Sequence, residues 1–196
     1  MMNKVLCSLL LFLSISCGLQ GRNANYARDS KRIWLDSKEI HHGEYVWKMK
    51  KAGDVISSAE KVSTLGYDTS DWLSAIVPGT VLNSLVYNKE YPEPYYGVNN
   101  KLESGKIPDI SKVGREFYTY WFRTEFDVPE SFAGKTIWLQ PDGVNYRAEI
   151  WVNGNLLSTL NGMFISDYIN VTDFVKVGRK NILAVKVYPV DVPGTC

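Results

Sequence analysis

The amino-acid sequence predicts an all-β domain, an antiparallel β-sandwich or jelly roll with one short helix and one long loop. Three observations carry that expectation. Residues 117–128 alternate Tyr118, Tyr120, Phe122, Thr124 and Phe126 with Trp121, Arg123 and Glu125, and a period of two sends successive side chains to opposite faces of a strand. Asn153 and Gly154 separate Val152 from Asn155, and this dipeptide supplies the positive φ angles of a two-residue type I′ hairpin. Short β-forming runs with turns between them recur to the end of the chain, the pattern of sandwiches and jelly rolls.

The first element is not part of that domain. The chain opens with basic Lys4, an apolar run over residues 5–13, small residues at 14–16, and Cys17. This order is that of a signal peptide, and the run is too short to span a bilayer. Small residues before Cys17 and Gly18 after it resemble a lipoprotein processing site, although Leu13 stands four residues before the cysteine where the usual lipobox has leucine three before. Residues 1–17 are therefore expected to direct export, with Cys17 lipidated and the product a periplasmic or outer-membrane lipoprotein of a Gram-negative bacterium. Residues 18–30 are polar and aperiodic, which suits a tether. The domain is expected over residues 31–196.

Within it, residues 32–35 and 44–50 read as short strands around a turn at His41, His42 and Gly43. Val81, Leu82, Leu85 and Val86 then recur at helical spacing behind Thr80, a residue suited to cap a helix. Pro92 and Pro94 end that pattern by removing amide donors and pushing their predecessors into extended conformations. A long surface loop is expected to about Glu116. Strands follow at 117–128, 136–140, 147–152, 164–170 and 181–188. Val144, Ala148, Ile150 and Val152 mark an expected central strand, with Arg147, Glu149 and Trp151 on its other face.

Composition narrows the functional classes. Lys plus Arg number 22 against 21 Asp plus Glu, so no surplus charge is available for nucleic acid or an anionic membrane surface. Aromatic residues make up 13% of the chain, which serves both a β-rich core and flat surfaces that stack on sugar rings. If Cys7 and Cys17 belong to the export segment, Cys196 has no partner for a disulfide in the domain.

Several motifs fail on inspection. Gly134, Lys135 and Thr136 invite a phosphate-loop reading, but the first glycine of that motif would fall at Pro129. Adjacent His41 and His42 would point to opposite faces of a strand, so a solvated turn outweighs a metal site, and two histidines give little material for a nucleophile–histidine arrangement. Asp142, Glu149, Asp167, Asp173 and Asp191 show no spacing that marks an acid and base pair. Asn170-Val171-Thr172 matches a glycosylation acceptor, which a bacterial lipoprotein would not use. No catalytic residue, metal or cofactor is expected in this chain.

A family resemblance rests on longer stretches. YWFRTEF at residues 120–126, WLQ at 138–140 and GVNYRAEIWVNG at 143–154, followed by INVTDFVKVGRKNILAVKVYP at 169–189, resemble the N-terminal, galactose-binding-like sugar-binding domain of glycoside hydrolase family 2. VPGTVLNSLV at 77–86 and PEPYYGVN at 92–99 are similar to its subgroup of β-mannosidases, endo-β-mannosidases and exo-β-glucosaminidases, and GVNYRAEIW with the ending VDVPG favours the last. Glu93 stands where that subgroup often has aspartate. The resemblance implies a retaining glycosidase whose two catalytic glutamates lie on a later (β/α)8 barrel. The chain also ends before the Trp-Asp-Trp segment that the subgroup carries, so a truncated enzyme or a fragment is expected. It further implies that the PYYGVN loop reaches the substrate pocket, with Asn99 bonding a sugar hydroxyl and Tyr96 lining the site. An αL turn role for Asn99, and packing roles for Tyr95 and Tyr96, are the competing explanations.

Two other functions stay open at this stage. A stand-alone carbohydrate-binding lipoprotein would need aromatic residues in a row on one exposed face. A protein-interaction domain would need a large apolar patch without a polar cleft. A glycan or oligosaccharide is the expected partner in the first case, as is a catalytic barrel in the full enzyme.

Overall fold

The computed structural model describes residues 11–18, 31–41, 43–162 and 165–190. In chain order the elements are β1 (Leu11–Gly18), β2 (Lys31–Trp34), α1 (Lys38–His41), β3 (Trp47–Lys51), α2 (Ala59–Val62), β4 (Leu73–Ser74), α3 (Val81–Tyr87) and α4 (Ile110–Val113). Then come β5 (Tyr120–Asp127), β6 (Thr136–Val144), β7 (Arg147–Val152), β8 (Asn155–Asn161), β9 (Ile169–Asn170) and β10 (Lys180–Tyr188). They form a four-stranded sheet in the order β2-β1-β6-β9 and a six-stranded sheet in the order β4-β3-β5-β10-β7-β8. Every ladder between these strands is antiparallel.

Alternation in the strands fills the space between the sheets. Phe122 and Phe126 of β5, Ile150 of β7, and Leu183 and Val185 of β10 meet Ile137 and Leu139 of β6 and Ile169 of β9 in one buried cluster. Trp47 lies in the same cluster, and its indole N–H donates to the Leu35 carbonyl at 3.1 Å, joining the two sheets.

The other face of β5 is buried as well, which alternation alone does not predict. Residues 52–72 fold over the outside of the six-stranded sheet, and Val62 and Trp72 pack on Trp121, Trp151 and Ala184. Arg123 fastens this cover. Its Nε donates to the Val62 carbonyl and its Nη2 to the Thr64 carbonyl, both at 3.0 Å, while Glu125 lies 3.6 Å away. Burial lowers the Arg123 pKa and the Glu125 carboxylate opposes that shift.

The Asn-Gly hairpin forms as expected, with φ of 48° at Asn153 and 88° at Gly154. So does the helix behind Thr80, whose hydroxyl accepts from the Asn83 amide at 2.8 Å. Ala148, Ile150 and Val152 face the core as the sequence predicts.

Other boundaries move. Val144 ends β6 rather than joining β7, and β7 lies second from the sheet edge, between β10 and β8. Residues 117 and 118 belong to a 3-10 turn, so β5 starts only at Tyr120. The strands flanking the histidine turn belong to different sheets because the intervening chain forms α1 and crosses the sandwich. The strand expected over 164–170 shortens to Ile169–Asn170 plus a single bridge from Ser166 to Asp142. His42, Asp191 and residues 19–30 lie outside the described residues.

Leu11–Gly18 pairs between β2 and β6, with Cys17 opposite Lys31 and Ile137. No helix among the described residues is long and apolar enough to cross a membrane.

Candidate functional site

The chain between α3 and β5 is a long connection, and it starts from a fixed base. Ser84 in α3 accepts the Ile76 amide at 3.0 Å. Asn88, at the helix C-terminus, donates to the Ser74 and Ser84 carbonyls at 2.7 and 2.6 Å and accepts from the Ser74 amide at 3.2 Å. The helix end is thereby tied to β4, and the following residues leave from a defined point.

Beyond Pro92 and Pro94 the loop folds as overlapping turns. The amides of Tyr96, Asn99 and Lys101 donate to the carbonyls of Glu93, Tyr96 and Val98. The left-handed position required inside this path falls on Gly97, at φ 58°. Asn99 is not an αL residue.

Asn99 instead is the hub of the loop. Its side chain is 6% exposed. Nδ2 donates to the Glu93 carbonyl at 2.9 Å, and Oδ1 accepts from Lys106 Nζ at 2.9 Å. The Asn99 carbonyl accepts from the Ser104 hydroxyl at 3.2 Å. A buried amide bonded at both ends rigidifies its surroundings, because leaving either end unpaired costs about 1–3 kcal/mol. Lys106 and Ser104 escape sequence reasoning, since no fixed offset within an irregular loop announces such a bond.

The rings beside this hub are open to solvent. Tyr95 is 91% and Tyr96 77% exposed, and Tyr87, Val98, Leu102 and Val113 nearby in sequence are also exposed. Packing against the sandwich therefore does not account for Tyr95 and Tyr96.

The far end of the loop is anchored by tyrosines. Tyr118 donates its hydroxyl to the Pro108 carbonyl at 2.7 Å. Burial, then the neighbouring Tyr91, raises its pKa well above the ordinary phenol range. Tyr120 is pushed up to about 12, again mainly by burial.

The scattered carboxylates are engaged locally. Asp142 accepts from Gln140 at 2.6 Å and from Ser166 at 3.0 Å. Glu149 accepts from the Tyr188 hydroxyl at 2.5 Å and the Trp151 indole at 3.3 Å. Asp167 accepts its neighbour's amide at 2.8 Å. None of these contacts joins two carboxylates into an acid and base pair. Among the described residues no group of three His, Cys, Asp or Glu stands close enough to hold a metal ion.

Residues 47–192, from β3 through β10 and including the whole loop, match the model of the glycosyl hydrolase 2 galactose-binding domain-like family. The chain belongs to this family. Among its relatives is a mannosylglycoprotein endo-β-mannosidase of Lilium longiflorum, 41% identical over 126 residues that cover 64% of this chain and 13% of that protein. An exo-β-D-glucosaminidase of Amycolatopsis orientalis is 30% identical over 139 residues, or 69% of this chain and 12% of the relative. In three dimensions the domain superposes on the exo-chitosanase of Amycolatopsis orientalis with a TM-score of 0.60 at 27% identity, covering 74% of this chain and 16% of that one. The chain thus spans roughly an eighth of the length of these curated relatives, 13% and 12%. The antiparallel sandwich and the family expected from YWFRTEF and GVNYRAEIWVNG are both found.

Proposed function

We propose that this chain is the non-catalytic N-terminal β-sandwich of an exported family 2 glycoside hydrolase. The enzyme would be a retaining β-glycosidase of the exo-β-glucosaminidase or β-mannosidase type. One observation carries this reading. A loop pinned from within by Asn99 holds Tyr95 and Tyr96 at 91% and 77% exposure. Aromatic rings displayed on a rigid loop suit a pocket that a second surface completes.

Retaining hydrolysis needs two carboxyl groups about 5–5.5 Å apart, one as nucleophile and one as acid and base. In this chain Asp142 and Glu149 are instead held by Gln140, Ser166, Tyr188 and Trp151. The chemistry is therefore assigned to a barrel outside this chain, and the sandwich binds and orients. Tyr96 lines the sugar site. Asn99, with Oδ1 and one N–H already bonded inside the loop, has its other N–H for a sugar hydroxyl. Asn99 as a whole is only 6% exposed, so Tyr96 carries the larger share of the contact.

In a polypeptide that joins this domain to its barrel, Tyr96→Ala raises KM for an aryl β-glucosaminide or β-mannoside about tenfold, the equivalent of ~1.4 kcal/mol of lost contact. Unchanged kcat and KM in that variant would overturn the role of the loop.

The N-terminus adds a location. Lipidation of Cys17 would tether the domain to a periplasmic or outer-membrane surface of a Gram-negative cell through residues 18–30. Cleavage before Cys17 removes residues 1–16, and with them most of Leu11–Gly18. The pairing of that strand then belongs to the unprocessed chain only. Lipid labelling and membrane fractionation of Cys17→Ser decide this, because both are lost if Cys17 is the anchor and unchanged if it is not.

A further inference from the structure

The six-stranded sheet contains no residue before Trp47, so export leaves it intact, and its two edge strands differ. At one edge β4 has only two residues. The Asn88 side chain holds the Ser74 amide and carbonyl there at 3.2 and 2.7 Å. At the other edge β8 runs for seven residues as Asn-Leu-Leu-Ser-Thr-Leu-Asn, with neither a charge nor a proline. An edge of this kind is a template for a further strand, and folded proteins ordinarily blunt it with charge, proline or brevity.

The ladder with β7 fixes which way the β8 backbone faces. Arg147, Ala148, Glu149 and Ile150 pair in regular register with Asn161, Leu160, Thr159 and Ser158, and the irregularity of this ladder falls beyond them, at Leu157. The Gly162 amide donates to the Tyr146 carbonyl at 2.8 Å. Residues bonded to the partner strand alternate along an antiparallel pair, so Gly162, Leu160 and Ser158 turn their N–H and C=O groups toward β7. Thr159 and Asn161 turn theirs away from the sheet. Among the described residues no backbone group on that side bonds to them. The Thr159 side chain is exposed and that of Leu160 is buried.

We infer that β8 is a dimerisation edge, at which a second copy of this chain adds its own β8 in antiparallel register about a two-fold axis at Thr159. Thr159 exchanges two backbone hydrogen bonds with Thr159 of the second copy, and Ser158 lies opposite Leu160. Opposed residues of an antiparallel pair share a face, so threonine meets threonine on the solvent side, a favourable cross-strand pair. No charge meets its like along this edge. The charged neighbour in the same row is Glu149, opposite Thr159, and its counterpart stands three inter-strand steps away, about 14 Å and beyond the ~8 Å screening length of physiological salt. The capped β4 selects this closed pair. Addition of β8 to β4 of another copy would repeat without end, but Asn88 already occupies the backbone groups of Ser74, which leaves β8 to pair with itself. So short a strand contact buries less than a standard interface, and half-association is expected at roughly 100 µM. The inference does not rest on the carbohydrate reading.

The test is sedimentation equilibrium of the full chain from about 5 µM to about 1 mM, repeated for Thr159→Pro and Thr159→Lys. Proline removes an amide that the monomer does not use, and lysine sets two ammonium groups against each other across the axis. The mean mass of the parent climbs from monomer toward dimer, and each variant weakens association at least about tenfold. Thermal unfolding at the lowest concentration stays close to the parent value. Should Thr159→Pro fail to fold, Thr159→Lys decides alone, because that side chain is exposed. Amide exchange at Thr159 and Asn161 slows with concentration in the parent and not in the variants. Three results would overturn the inference: a parent that stays monomeric throughout, association that survives substitution at Thr159, or growth beyond the dimer.

Discussion

Asn153 and Asn99 each hold a turn together, and their surroundings differ. Asn153 sits at φ 48° in a hairpin between strands whose inward side chains are buried. Its amide donates to the Phe174 carbonyl and to Asn181, and its Oδ1 accepts the Ile182 amide at 2.9 Å. Asn181 is fully buried and returns bonds to Lys176 and Arg179. Asn99 has a comparable set of polar bonds, but the residues around it are mostly exposed. The hairpin is thus part of the cooperative core, whereas the loop is held by polar bonds over a thin apolar base. Stability and display are divided between the two regions, as expected where a rigid scaffold presents a binding segment.

The largest effect should come from the core beneath the hairpin. Ile150→Ala empties a fully buried site and should cost about 2–5 kcal/mol in chemical denaturation. Glu149→Ala, on the opposite face, loses the bonds from Tyr188 and Trp151 and should cost less. If Glu149→Ala proves the more damaging, the polar face of β7 carries the stability assigned here to its core face.

Gly154→Val comes next. A β-branched residue at φ 88° is strained, and its Cβ would stand 3.3 Å from Thr64 Cγ2. The expected loss is about 1–3 kcal/mol in the same assay, and no loss would mean that the hairpin is not a rigid part of the core.

Asn99→Ala should show a different signature. Global stability falls by less than about 1–2 kcal/mol, while amide exchange across residues 93–106 accelerates and the hairpin amides stay protected. Equal acceleration in both regions would erase the distinction between them.

A smaller effect concerns alkaline pH. Tyr120 is pushed from 10.0 to about 12 by burial, with Tyr91 contributing next. A phenol with a raised folded pKa ionises first in the unfolded chain, so its contribution is complete below pH 10 and is lost as pH rises toward 12. Tyr120→Phe should flatten the fall in stability over that window, leaving the slope due to Tyr118, whose pKa is raised in the same way. An unaltered slope would remove Tyr120 from the loop's anchor.

Local chemistry made the hairpin legible. An Asn-Gly pair specifies its own turn, and the alternation of Ala148, Ile150 and Val152 specifies the buried face. Thr80 and the apolar spacing behind it made α3 readable for the same reason. The cover of residues 52–72 was not readable, because Arg123 meets Val62 and Thr64 at separations of 61 and 59 residues and a strand buried on both faces still shows a period of two. The loop lies between these cases. PYYGVN drew attention to Tyr96 and Asn99, but the partners that make Asn99 a hub, the Glu93 carbonyl and Lys106, come from backbone turns that no side-chain pattern encodes.

The division between a binding sandwich and a catalytic barrel is tested most directly by assaying the purified chain against aryl β-mannoside, β-glucosaminide and β-galactoside. No hydrolysis is expected, because Asp142 and Glu149 are engaged in separate local networks and a glycosidase needs a facing pair. Turnover of any of these substrates that a single carboxylate substitution abolishes would contradict it and place the chemistry inside this chain.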